Sequence, residues 1–141
     1  MSAYYMNEAT FDLPDVGYVD RTVTHLEGKA PSGIVVALMV ERSPFPEGKT
    51  LREVATAHMK GTKKRLRGYT LLLDQASEIA GVPAIEIAAQ WRDTAGFVYS
   101  RQAHLVLGAT LLLVAGETAI EERAFCDAYV EHVIASLRPL A

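Results

Sequence analysis

The sequence predicts an α+β domain: an antiparallel β-sheet with two helices packed on it, in the order β-β-β-α-β-β-β-β-α. Three observations carry this. Residues 82–116 hold three runs of β-branched, aromatic and aliphatic residues separated by Thr94-Ala95-Gly96 and Gly108-Ala109, the pattern of strands joined by tight turns. Two stretches show helical spacing, each headed by a threonine with glutamate three residues later, Thr50 with Glu53 and Thr118 with Glu121. Residues 4–13 and 18–26 alternate with period two, set off by Pro- and Gly-bearing breaks.

In chain order, residues 4–13 alternate and read as an edge strand ended by Pro14, with turn chemistry over residues 14–17. Residues 18–26 alternate again, with Thr22 and Thr24 on one side and Arg21, Val23 and His25 on the other. Residues 27–33 are a loop and residues 34–40 a strand apolar on both sides, which needs cover on both. Residues 43–48, with Pro44, Pro46 and Gly48, break the chain. The first helix starts at Thr50, places Leu51, Val54, Ala55, His58, Met59 and Leu66 near one stripe, and ends at Gly68. Residues 69–79 read as a strand, with a helical alternative over 74–78. The second helix runs to about Leu137, before Pro139, with Ile120, Phe125, Tyr129 and Val133 along its stripe.

Within the meander, strand parity separates two faces. Ile85, Ile87, Ala89 and Trp91 form an apolar side, as do Phe97, Tyr99, Arg101, Ala103, Leu105 and Leu107. Glu86 and Gln90, with Ser100, Gln102 and His104, mix small and hydrogen-bonding groups on the other. The expected arrangement buries the apolar side beneath both helices and leaves the mixed side open.

A length of 141 residues matches a single domain with a full core, spanning 1–141. Fourteen Lys and Arg against 17 Asp and Glu, with no sustained basic footprint, argue against nucleic acid as a partner. Met1 and the residues after it lack the basic and apolar regions of a signal peptide, and no run is long enough to span a bilayer, so the expectation is a cytoplasmic protein rather than an integral membrane one. The lone Cys126 falls in an apolar helical pattern and reads as a packed thiol.

Chemistry-bearing motifs are sparse. His25, His58, His104 and His132 lie on four separate elements without metal-ligand spacing, and neither a Gly-x-Ser-x-Gly elbow nor a phosphate loop occurs. Glu86 and Asp93 point to opposite faces and read as solvated surface charge. The expectation is a non-enzyme with no cofactor and no metal.

A set of short segments does carry a resemblance. Asn7-Glu8-Ala9-Thr10-Phe11-Asp12-Leu13-Pro14, Asp20-Arg21-Thr22-Val23, Pro46-Glu47-Gly48-Lys49-Thr50-Leu51, Gly81-Val82-Pro83-Ala84, Gln90-Trp91, Tyr99-Ser100-Arg101-Gln102 and Ala135-Ser136-Leu137-Arg138 stand in the order found in the DcrB-like domain. Together they make the chain similar to the Eag-type chaperones, the cytoplasmic adaptors of bacterial type VI secretion effectors. The resemblance implies a Mog1p/PsbP-like fold and a homodimer. It also implies that the partner is the N-terminal transmembrane segments and adjoining PAAR region of an effector, held until loading on the VgrG spike.

Carried onto the mixed face, that role falls to Thr22, Thr24, Ala37, Met39, Gln90, Gln102 and His104, with His58 of the first helix as an edge contact. For each, the rival role is plain sheet packing or a contact between copies. Two other readings compete: a general interaction module of the same fold that binds a folded partner, and an enzyme with a pocket of perturbed ionisable groups.

Overall fold

The computed structural model describes residues 2–5, 8–14 and 21–140. Near the N-terminus β1 (Ser2–Tyr5) and β2 (Thr10–Leu13) pair antiparallel, Ser2 opposite Leu13. The expected single strand over residues 4–13 is therefore two strands folded back on each other. Period-two alternation reports which side is wet and is blind to a reversal of the chain. Residues 15–17 of the expected turn and 18–20 of the next strand lie outside the described residues.

The main sheet contains β3 (Val23–Lys29), β4 (Val35–Pro44), β5 (Arg67–Ile79), β6 (Val82–Asp93), β7 (Gly96–Leu107) and β8 (Thr110–Ala119). All neighbours are antiparallel, in the order β3-β4-β8-β7-β6-β5. Residues 69–79 are strand, as read, and the meander is present. Residues 27–29 continue β3 and residues 43–44 continue β4, so both strands outrun the expected loops.

Short turns set the meander. Ala80 (φ 55°) and Gly81 (φ 78°) both occupy the left-handed region between paired Ile79 and Val82, the geometry that matches strand twist in a two-residue hairpin. At the next turn Asp93 Oδ1 accepts from the backbone N–H groups of Ala95 (2.8 Å) and Gly96 (3.0 Å).

Helix α1 (Leu51–Arg65) starts on the expected capping box: Thr50 Oγ1 accepts from the Glu53 N–H, and Glu53 Oε1 from the Thr50 N–H, each at 3.1 Å. It ends three residues before Gly68, because Arg67 already pairs with Arg92 in the sheet; Gly68 (φ 62°) sits at a bulge of β5. A 3-10 turn (Ile120–Glu122) leads into α2 (Arg123–Ser136). The expected Thr118–Glu121 box does not form, since Thr118 remains in β8 and its hydroxyl donates to the Val35 carbonyl at 3.1 Å.

The two helices take opposite faces of the sheet, which corrects the expectation that both lie on one. A helix's apolar stripe tells that it buries one side, not which side of a sheet it meets. Under α2, Cys126 and Val130 cover Gly116, and Tyr129, Val133, Ile134 and Leu137 pack on Leu38, Ala103, Leu105 and Val114. Under α1 the core is smaller: Ala55, Leu51 and Met59 over Ile85 and Ile87.

Register corrects a second expectation. A two-residue turn pairs odd-numbered with even-numbered residues, so Ile85 faces His104, Ile87 faces Gln102 and Trp91 faces Val98. The apolar side of β6 thus shares its face with the mixed side of β7. Glu86 falls instead on the α2 face, buried rather than solvated, where Arg101 Nη2 donates to its Oε1 at 2.7 Å. Asp127 stands 3.7 Å from the same guanidinium and accepts the Tyr99 hydroxyl hydrogen. Cys126 is a packed thiol as expected, and burial pushes it up to about 12.

Candidate functional site

Helix α1 covers only part of its face, and beside it, over β8 and β4, a cleft of about 330 Å³ remains. Its floor follows from register. One cross-strand row runs His25, Met39, Ala115, Gln102, Ile87. Ala115 is small, so its two neighbours, a thioether and an amide, stand above it and flank a dip. Gln102 Nε2 donates to Ser100 Oγ at 3.2 Å. Leu113 extends the floor and Trp91 closes one end.

The α1 wall presents His58, Thr62 and Arg65, with Leu66 just past the helix end. The Thr62 hydroxyl donates to the His58 carbonyl at 3.0 Å and is thereby satisfied within its own helix. Behind His58, the His104 ring stands edge-on, centroids 5.2 Å apart at 66°. His104 is 1% exposed, and its Nε2 has no hydrogen-bond partner among the described residues.

Three ionisable groups at the cleft, His104, His58 and Glu117, are drawn to their neutral forms. Burial, reinforced by His58, brings the His104 imidazole down to about 4. Burial also lowers His58, with Glu41 opposing and Arg65 adding. At the rim, burial raises the Glu117 carboxyl, opposed by His25. A lowered imidazole stabilises the fold fully above its unfolded value of 6.5, and that stability is lost as pH falls towards about 4. Urea midpoints are therefore expected to drop between pH 6.5 and 5 in the wild type, and the slope to flatten in His104→Phe. The full contribution is about 3 kcal/mol, and a wild-type profile flat over this window would contradict it.

Of the residues singled out from sequence, Met39, His58 and Gln102 line the cleft. Ala37 lies on the same face, opposite Glu117, and His104 is buried behind His58 rather than lining the opening. Thr24 opposes Val40 and Gln90 opposes Tyr99, which puts both on the α2 face. Thr22 precedes β3 with the same parity, its carbonyl accepting from the Arg42 N–H at 2.9 Å. Trp91, Leu113, Ala115 and Glu117 were missed; the two-residue turn at 108–109 would have given the β8 members by parity. Among the described residues no group of three or more His, Cys, Asp or Glu is placed to hold a metal ion, and no helix is long and apolar enough to cross a membrane.

No curated protein matches the sequence. The fold is similar to that of PA94 from Pseudomonas aeruginosa, a protein of unknown function (TM-score 0.81, 17% identity, covering 100% of this chain and 98% of that one). It is also similar to LpqN of Mycobacterium tuberculosis, involved in cell envelope biogenesis (0.62, 14%, 87% and 84%). The cyanobacterial PsbP of Synechocystis sp. PCC 6803 shares it too (0.58, 12%, 89% and 95%), so the fold is PsbP-like. The DcrB family profile matches residues 8–136, and the chain belongs to the DcrB family.

Proposed function

We propose that this protein is a cytoplasmic, non-enzymatic chaperone or adaptor. It shields the N-terminal transmembrane segments, and the adjoining PAAR region, of a type VI secretion effector, aids loading on the VgrG spike, and works as a homodimer. The observation that carries the reading is the row Met39, Ala115, Gln102 on the open part of the α1 face. A transmembrane helix satisfies its own backbone but leaves apolar surface in water, at about 25 cal/mol per Å². The cleft is sized for side chains rather than a whole helix, so the client lies across it and inserts its anchors. Small Ala37 and Ala115 permit close approach, and Gln102 matches the polar groups by which membrane helices pack together. Neutral histidines and a carboxyl shifted towards neutrality suit an apolar guest.

Co-expression with an effector's N-terminal apolar segment is expected to give a soluble complex. Met39→Glu with Gln102→Glu should weaken it by about tenfold or more, since like charges on either side of Ala115 cannot pair with each other and are set against an apolar guest. Circular dichroism and the oligomeric state should stay as in the wild type. Absence of any complex with the wild-type chain would overturn the proposal, and a folded partner retained by the double variant would favour the general interaction module.

A further inference from the structure

The expectation of no basic footprint fails locally: seven of the chain's 14 Lys and Arg lie between residues 49 and 67, with a single acid, Glu53, among them. Glu53 is engaged by the helix cap and Arg52 by Asp74 at 2.6 Å. Lys60, Lys63, Lys64, Arg65 and Arg67 are exposed, and none has a carboxylate within ion-pairing distance among the described residues. Beside them, between α1 and β5, lies a second cleft of about 210 Å³ lined by Met59, Lys60, Lys63, Tyr69 and Leu71. Leu71 is 40% exposed although it is a large aliphatic side chain.

We infer that this outer face of α1 with the neighbouring β5 segment is a docking surface for an anionic lipid membrane, lysines on the phosphates and Leu71 with Met59 against the acyl boundary. Three features favour a bilayer over an acidic protein. The patch carries net positive charge in a chain whose overall charge is -3, so attraction is local and oriented. Three of its five cations are lysines, which are depleted in buried protein interfaces and act as point charges on a diffuse anionic layer. An apolar slot flanked by flexible ammonium groups places greasy and cationic contacts at the depths where a headgroup layer offers acyl chain and phosphate. The inference stands apart from the client-binding reading, because these residues, Arg65 excepted, do not line the α1–β8 cleft.

The test is sedimentation of the full chain with vesicles of phosphatidylcholine alone and with added phosphatidylglycerol. Binding is expected only to the anionic vesicles, and to fade as salt is raised to about 0.5 M. Lys60→Glu, Lys63→Glu and Lys64→Glu together should weaken partitioning on the order of a hundredfold, while the melting curve and client co-purification stay unchanged. Leu71→Ser should weaken it several-fold. Equal binding to both vesicle types, no binding to either, or a triple variant that partitions like the wild type would overturn the inference. Capture by polyglutamate without capture by vesicles would overturn it in favour of an acidic protein.

Discussion

Gly116→Ala is expected to lower the melting temperature by about 5–10 °C, the signature of an overpacked core costing about 2–3 kcal/mol. A Cβ at this position of β8 would fall inside the contact radius of Val130 Cγ2 and 3.2 Å from Cys126 Sγ. Neither neighbour can yield cheaply. Val130 is fully buried, and a β-branched side chain in a helix has one favoured rotamer. Cys126 is equally enclosed, so the whole of α2 must rise off the sheet. Adding Val130→Ala should recover part of the loss, and thermal melts of the three variants measure the coupling. A single variant melting with the wild type would show that α2 is seated more loosely than its packing indicates.

Arg101→Met is expected to cost about 3–5 kcal/mol, because it strands the Glu86 carboxylate without its partner. The side chains are 11% and 9% exposed at the edge of a cleft of about 440 Å³, so water offsets only part of the lost guanidinium. The pH dependence changes sign. In the wild type burial alone would raise the Glu86 carboxyl, but the Arg101 hydrogen bond and charge, helped by Ser77 and Gln75, hold it below its ordinary value. Its stabilisation is therefore present above the ordinary value of 4.5 and lost as pH falls through the folded one. Without Arg101 burial prevails and the carboxyl rises, so acidification from pH 7 towards 5 relieves the variant. Because the His104 loss is common to both proteins, the readout is the gap between variant and wild-type urea midpoints, expected to narrow from pH 7 to 5, and adding Glu86→Gln should restore most of the stability at pH 7.

What could be read from the chain follows the range of the forces involved. Thr50 and Glu53 meet across three residues, so their box was visible, whereas Thr118 looked identical and lost its hydroxyl to Val35, far away in sequence. The β6, β7 and β8 strands were legible because aliphatic runs and Gly-bearing turns are local. Which of their faces coincide depended on turn length, and that one-residue matter moved Gln90 off the face of Gln102 and brought Trp91 onto it. Glu86 and Arg101 meet on a diagonal between neighbouring strands, a relation that exists only once register is fixed. Met39, His58 and Gln102 were found through parity and resemblance. The open cleft itself depends on where α1 stops covering the sheet, and no residue pattern encodes that.

The two borders of the sheet are unlike. Along β5 the ladder is interrupted between Arg67 and Thr70 and again between Leu71 and Leu73, and such kinks twist a border away from partners. Along β3 seven consecutive residues keep an unbroken register with β4, and Val23 and Leu26 are more than half exposed. Sheet growth is thus directional: among the described residues, the flush template for a further strand, from another copy or a bound chain, is β3. Each strand added there would broaden the Met39 side of the groove by about 4.8 Å, leaving α1 as its fixed bank.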